Sequence, residues 1–330
     1  MMKNIVKWFR SLRKTEKTAL VLSSGAARGL SHIGVIKALE ERNISIDMIA
    51  GTSIGALVGA CYAKSGSIEE FERVVLKTNF TRLLNLADID LAVMFKGFIH
   101  GKKVNELLKT VIGDVHFGDL KIPLSVVATD AHTGEAVILD RGSVIEAVRA
   151  SISMPVIFIP VKYGDRFLID GGIVDPVPVD IARKMGADRI IVSNVILPPI
   201  HRKRAGAKAF SEHTEENIPS KENTAVEAQL DMFSKEGSEK INKVQGFVDT
   251  LWNKLPRVWG KIDSDTPDIF YVLSQTMFSM EYEIARYKAE KGDIVIIPDN
   301  MHIGILDFHR GKEAIEEGYA AAQRILKNSV

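Results

Sequence analysis

The sequence predicts an α/β protein: a parallel or mixed sheet covered by helices on both faces. Three observations carry that prediction. From about residue 18 to 198, short β-rich runs alternate with helical stretches, and after Thr266 the alternation resumes. The chain has 330 residues, of which 46% are hydrophobic, enough to bury a large core.

The elements follow in order. Thr18–Leu22 reads as a strand and Leu30–Glu41 as a helix. Ile46–Ala50 is a short apolar strand, and Ile54–Ala63, rich in small helix formers, a helix. Strands are expected at Leu124–Ala128, Phe167–Ile169 and Ile190–Val195, with helices at Val144–Ala150 and Val179–Met185. A long helix over Ile269–Glu290, a strand at Ile294–Ile297 and a helix over Lys312–Leu326 complete the domain. There is no internal repeat.

Two segments stand apart. Residues 1–17 hold Lys3, Lys7, Arg10, Arg13, Lys14 and Lys17 against the single acid Glu16. Most of these bases share one helical face, while Ile5, Trp8, Phe9 and Leu12 cluster on the other. Such a helix suits an anionic membrane surface, or equally packs on its own domain. Residues from about 198 to 265 open with Pro198-Pro199, continue basic, then turn polar and acidic, the composition of a flexible insertion. The end of that insertion, from Phe247 to Trp259, interleaves apolar and basic residues and reads either as a lid or as an ordinary packing helix. The remainder is thus a single domain from 18 to 330, interrupted at 198–265.

Composition excludes several classes. A formal net charge of +1 gives no basic footprint for nucleic acid. Cys61 is the single cysteine, so no internal disulfide or multi-cysteine zinc site can form, which fits a reducing compartment. No apolar run reaches the roughly 18 residues that span a bilayer. The basic N-terminus is not followed by an apolar stretch or cleavage site, so the expectation is a cytoplasmic protein.

Three motifs carry chemistry. Gly51-Thr52-Ser53-Ile54-Gly55 places a serine between a strand and a helix, with glycines two residues to either side. That is the pattern of a nucleophile elbow, a sharp turn that pushes the hydroxyl out of the sheet. Upstream, Ser23-Ser24-Gly25-Ala26-Ala27-Arg28-Gly29 lies between a strand and a helix, where backbone N–H groups stabilise negative charge. Gly25 and Gly29 have the wrong spacing for a dinucleotide fingerprint, and no Gly-Lys-Ser/Thr follows for a phosphate loop. An oxyanion hole or a plain tight turn remains. Finally, Asp170-Gly171-Gly172 puts a carboxylate at a strand end beside two small residues.

A nucleophilic serine needs a base. His32, His132, His302 and His309 are available for a triad, but none stands in a recognisable motif. The alternative is a Ser–Asp pair, in which burial strengthens the carboxylate as a base and oxyanion donors carry much of the barrier.

Together these blocks resemble the patatin-like phospholipase family, especially its bacterial members. The resemblance rests on Ser24–Gly29 leading into Leu30-Ser31-His32-Ile33-Gly34-Val35, and on Gly51–Ala56. It includes Ala150-Ser151-Ile152-Ser153-Met154-Pro155 with Phe158 and Pro160, and Asp170-Gly171-Gly172 with Pro176 and Pro178. It implies a three-layer α/β/α fold with a mostly parallel sheet and a Ser53–Asp170 dyad. It also implies an oxyanion hole around Gly25, Ala26 and Ala27, with Arg28 lending positive charge. The implied activity is hydrolysis of phospholipid or lysophospholipid esters with no metal and no cofactor. The family loop usually has glycine where Ser24 and Ala26 stand, so a positive φ at either would be costly. Two other readings stay open: a lipid-binding or regulatory protein with a vestigial site, and a nucleotide-binding enzyme built on the glycine loop.

Overall fold

The computed structural model describes residues 16–77, 102–155, 158–198, 269–305 and 307–327. The basic segment 1–17 and the insertion 198–265 lie outside the described residues, apart from Glu16, Lys17 and Pro198. Lys17 anchors the chain's entry: its N–H donates to Asp188 Oδ2 at 3.0 Å, and its carbonyl accepts from Asp188 and Arg189.

The first half runs β1 (Thr18–Leu22), α1 (Ser31–Glu41), β2 (Met48–Thr52), α2 (Ile54–Ser65), α3 (Glu69–Lys77) and α4 (Lys102–Ile112). Then come β3 (Leu124–Asp130), β4 (Ala136–Leu139), α5 (Val144–Ser151), β5 (Val161–Tyr163) and β6 (Arg166–Asp170). The remainder is α6 (Val179–Lys184), β7 (Arg189–Ser193), α7 (Ile269–Ala289), β8 (Ile294–Ile296) and α8 (Gly311–Leu326). A 3-10 turn, Ala26–Leu30, leads from the β1 loop into α1.

The strands form one sheet in the order β5-β6-β3-β2-β1-β7-β8, with β4 also paired to β3. The run from β3 through β8 is parallel, whereas β4 and β6 join β3 antiparallel, as β5 joins β6. The sheet is therefore mixed and mostly parallel, as the sequence predicts. Strand side chains alternate between faces. Leu20, Leu22, Ile49 and Val126 enter a core with Ile33 and Ile36 of α1, Val58 of α2 and Ile315 of α8. Ala19, Val21, Met48, Ala50 and Val127 meet Ile181 of α6 and Ala285 and Ala289 of α7 on the other side. Both faces are apolar because both are covered, giving three layers.

Helices α1 and α8 cross so closely that each needs a glycine. A Cβ on Gly34 would stand 1.9 Å from the Ile315 carbonyl oxygen, and one on Gly318 would stand 1.9 Å from that of Ser31.

Some boundaries and elements differ from expectation. β2 continues through Gly51-Thr52 and β6 through Asp170, since each is held by a neighbouring strand up to the site. The edge strands β4 and β5 went unread because they are short and half exposed, with little apolar signal. Helices α3 and α4 break the β/α alternation, yet Phe71, Val75, Val104, Leu108 and Ile112 bury one face of each. Among the described residues no helix is long and apolar enough to cross a membrane.

Register brings the motifs together. Thr52 pairs with Val127 across β2 and β3, and the next residue of β3, Ala128, pairs with Asp170. Ser53 and Asp170 thus leave the sheet at the same level.

Candidate active site

Ser53 occupies the corner between β2 and α2 with φ 55° and ψ −123°, a conformation that non-glycine residues rarely adopt. The flanking glycines answer to space rather than to dihedral angle. A Cβ on Gly55 would come within 2.3 Å of the Leu22 carbonyl oxygen, and one on Gly51 within 2.7 Å of that of Gly55. These contacts press the start of α2 against the end of β1. The Ser53 N–H donates to Ser151 Oγ at 2.7 Å, and Ser151 Oγ donates onward to the Val127 carbonyl at 2.6 Å. A buried hydroxyl from α5 therefore ties the strained corner to β3. Beside it, Thr52 Oγ1 donates to the Asp175 carbonyl at 2.8 Å.

Ser53 Oγ donates to Asp170 Oδ2 at 2.7 Å, and both residues are buried. The other carboxylate oxygen, Oδ1, accepts the Gly172 N–H at 2.7 Å. Burial raises the Asp170 pKa to about 6, with the bonds from Ser53 and Gly172 opposing the rise. The carboxylate is thus ionised at neutral pH yet basic enough to take a proton. Gly171 admits the close approach to β3: a Cβ there would sit 2.3 Å from the Val127 carbonyl oxygen.

In the glycine loop, Gly25 has φ 146° and Ala26 φ 50°. The expected cost of a side chain thus falls on Ala26, while Ser24 carries no positive φ. The Ser24 N–H donates to the Pro176 carbonyl at 2.9 Å and the Ala27 N–H to the Ile305 carbonyl at 3.1 Å. Ala27, expected among the oxyanion donors, therefore spends its N–H on the C-terminal segment. The N–H groups of Gly25 and Ala26 have no backbone acceptor among the described residues, and both residues are half-buried. Arg28 Nε donates to the Ile303 carbonyl at 2.8 Å, so its guanidinium also braces that segment.

Residues 20–183 match the family model described as patatin-like phospholipase. The chain belongs to the patatin-like phospholipase family. Over 340 residues it is 29% identical to an uncharacterized NTE family protein of Mycobacterium tuberculosis, spanning 94% of this chain and 91% of that one. It is 36% identical over 182 residues to patatin-like phospholipase domain-containing protein 6 of Homo sapiens. That match covers 54% of this chain and 13% of the human protein. With the lysophospholipase NTE1 of Debaryomyces hansenii it shares 34% identity over 187 residues, 54% of this chain and 12% of the yeast protein.

Three of the candidate histidines make other contacts. His32 is fully buried, with Nε2 donating to the Ser23 carbonyl at 2.9 Å and Nδ1 accepting from Ser193 Oγ at 2.7 Å. Burial lowers its pKa to about 4, so it is a neutral ring that ties β1 to β7. His302 Nε2 lies 2.7 Å from Glu313 Oε1, and His132 meets the edge of Phe167. None of the three hydrogen-bonds Ser53 or Asp170.

Two site residues lack a sequence signal of their own kind. Ser151 stands within the Ala150–Pro155 block, but nothing in a serine-rich run says which hydroxyl faces the elbow. Glu281, in α7 more than a hundred residues after Asp170, accepts a hydrogen bond from Ser24 Oγ. Helical periodicity marks it only as one polar position on a long helix.

Proposed function

We propose that this chain is a serine acyl hydrolase that cleaves lipid carboxylic esters of the phospholipid or lysophospholipid class. The observation that carries the reading is the 2.7 Å hydrogen bond from Ser53 Oγ to Asp170 Oδ2, at an elbow, together with two loop N–H groups that have no backbone acceptor among the described residues. Asp170 takes the hydroxyl proton as Ser53 Oγ attacks the acyl carbonyl. The tetrahedral oxyanion is received by the Gly25 and Ala26 N–H groups, each such donor lowering the barrier by about 3–4 kcal/mol. Asp170 then returns the proton to the departing alcohol, leaving an acyl-Ser53. Water, deprotonated by the same carboxylate, attacks this ester; the acyl–Oγ bond breaks, Asp170 returns the proton to Ser53 Oγ, and the fatty acid leaves. The N-terminus of α2 at Ser53 adds a favourable dipole toward the developing negative charge.

Substrate class is supported by the family and by a relative named as a lysophospholipase. In a p-nitrophenyl ester assay, Ser53→Ala and Asp170→Asn are each expected to lower kcat by about 10³-fold or more with the fold intact. A lipid panel read by mass spectrometry then identifies the ester cleaved. Asp170→Asn at wild-type rate would overturn the dyad. Failure of a fluorophosphonate to label Ser53 would leave the lipid-binding reading instead.

A further inference from the structure

Helix α7 brings to the site a group that the hydrolytic steps above do not use. Met277 and Glu281, one turn apart, line a cleft shared with Ser24, Asp170, Gly172 and Ile173. Ser24 Oγ donates to Glu281 Oε1. Gly172 leaves the space for this bond: a Cβ there would stand 2.7 Å from Glu281 Oε1, 2.9 Å from Ser24 Oγ and 3.1 Å from Asp170 Oδ1. Three elements thus converge on one carboxyl: the loop after β1, the turn after β6, and α7.

We propose that Glu281 is a positioning residue of the hydrolytic site, its carboxyl seating Ser24, and with it the N–H groups of Gly25 and Ala26, against the Asp170 turn. The proposal rests on the reading of Ser53 and Asp170 as the hydrolytic pair. The charged groups facing Glu281 are Asp170 at the end of β6 and Arg28 on the 3-10 turn. On the α6 side, Asp175 and Asp180 instead engage Lys288, two turns further along α7.

Burial raises the Glu281 pKa to about 8; the Ser24 bond opposes this, the Asp170 charge adds to it, and Arg28 opposes it. At pH 7 the group is a neutral acid. Ionised, it sets a second negative charge near Asp170 and near the loop that receives the oxyanion, which raises the barrier. The sign follows: activity is present between the Asp170 value of about 6, above which the base is ionised, and the Glu281 value of about 8, and it is withdrawn as pH rises through the latter.

The test is the pH dependence of p-nitrophenyl ester turnover in wild type, Glu281→Gln and Glu281→Ala. Wild-type kcat is expected to fall as pH rises through about 8. Glu281→Gln, isosteric and unable to ionise, is expected to keep kcat at pH 7 within about twofold and to lack that fall. Glu281→Ala, checked for folding by circular dichroism, is expected to lose about tenfold or more in kcat with little change in KM. The same alkaline fall in Glu281→Gln as in wild type overturns the proposal while leaving the hydrolytic reading intact, and the comparison stands even if Glu281→Ala misfolds. Wild-type protein without Ser53-dependent turnover overturns both.

Discussion

Ala26 and Ser53 are two of the three described non-glycine residues with positive φ, and both belong to the site. Strained backbone gathers where surrounding structure over-determines it. For Ser53 the constraint is visible: Ser151 holds its N–H, and the glycines on either side let α2 close down on β1. For Ala26 the side chain does no compensating work, so Ala26→Gly is expected to stabilise the fold. Relief of the left-handed strain, about 1–2 kcal/mol, exceeds the added unfolded-state entropy, leaving about 0.5–1 kcal/mol. Chemical denaturation measures this, and a clear loss of stability would refute it. Esterase activity should hold, because the N–H positions stay the same. At this scale, the placement of Ser53, Gly51, Gly55 and Asp170 at strand ends was legible from their spacing. The bond from the Ala27 N–H to Ile305 was not legible, because that acceptor comes from a segment nearly three hundred residues away that no local pattern announces.

Among elements, the α1–α8 contact reaches the site indirectly. The oxyanion turn runs straight into α1, and Ser31 at the start of α1 is held by Asn300 Nδ2 at 2.8 Å while its own Oγ donates to the Arg28 carbonyl. Gly318 lies directly over the Ser31 carbonyl. Gly318→Ala should therefore force the helices apart and cost about 1–3 kcal/mol, with a parallel drop in esterase activity. Gly118→Ala is the control: a Cβ there meets nothing within 4 Å, and the change should stay within about 0.5 kcal/mol. Equal effects of the two substitutions on thermal unfolding would contradict this account. Long, strongly patterned elements such as α1, α2, α7 and α8 could be read from the sequence. The edge strands β4 and β5 could not, because pairing to β3 and β6 rather than their own composition makes them strands.

For the whole molecule, the buried dyad makes stability depend on pH. The Asp170 pKa rises from 3.8 to about 6 on folding, so the ionised carboxylate is disfavoured in the native state. Below the unfolded value the group is protonated in both states and there is no penalty; the penalty grows between the two values and is complete above the folded one. Asp170→Asn, inactive but neutral, should therefore raise the melting temperature at pH 8 by about 2–4 °C and lose that gain on acidification to pH 4. Calorimetry at pH 8, 6 and 4 checks it, and a gain that does not vary with pH would contradict the assignment. Topology has a further consequence. The two ends of the Ser53–Asp170 bond are 117 positions apart, and Ser24 and Glu281 are 257 apart. Because β6 joins β3 only after β1, β2, β3 and β4 have been made, the ribosome releases Ser53 long before Asp170, and α7 later still. On the proposed mechanism, a growing or truncated chain therefore carries an unarmed hydroxyl, and hydrolysis begins only when the last layer has closed.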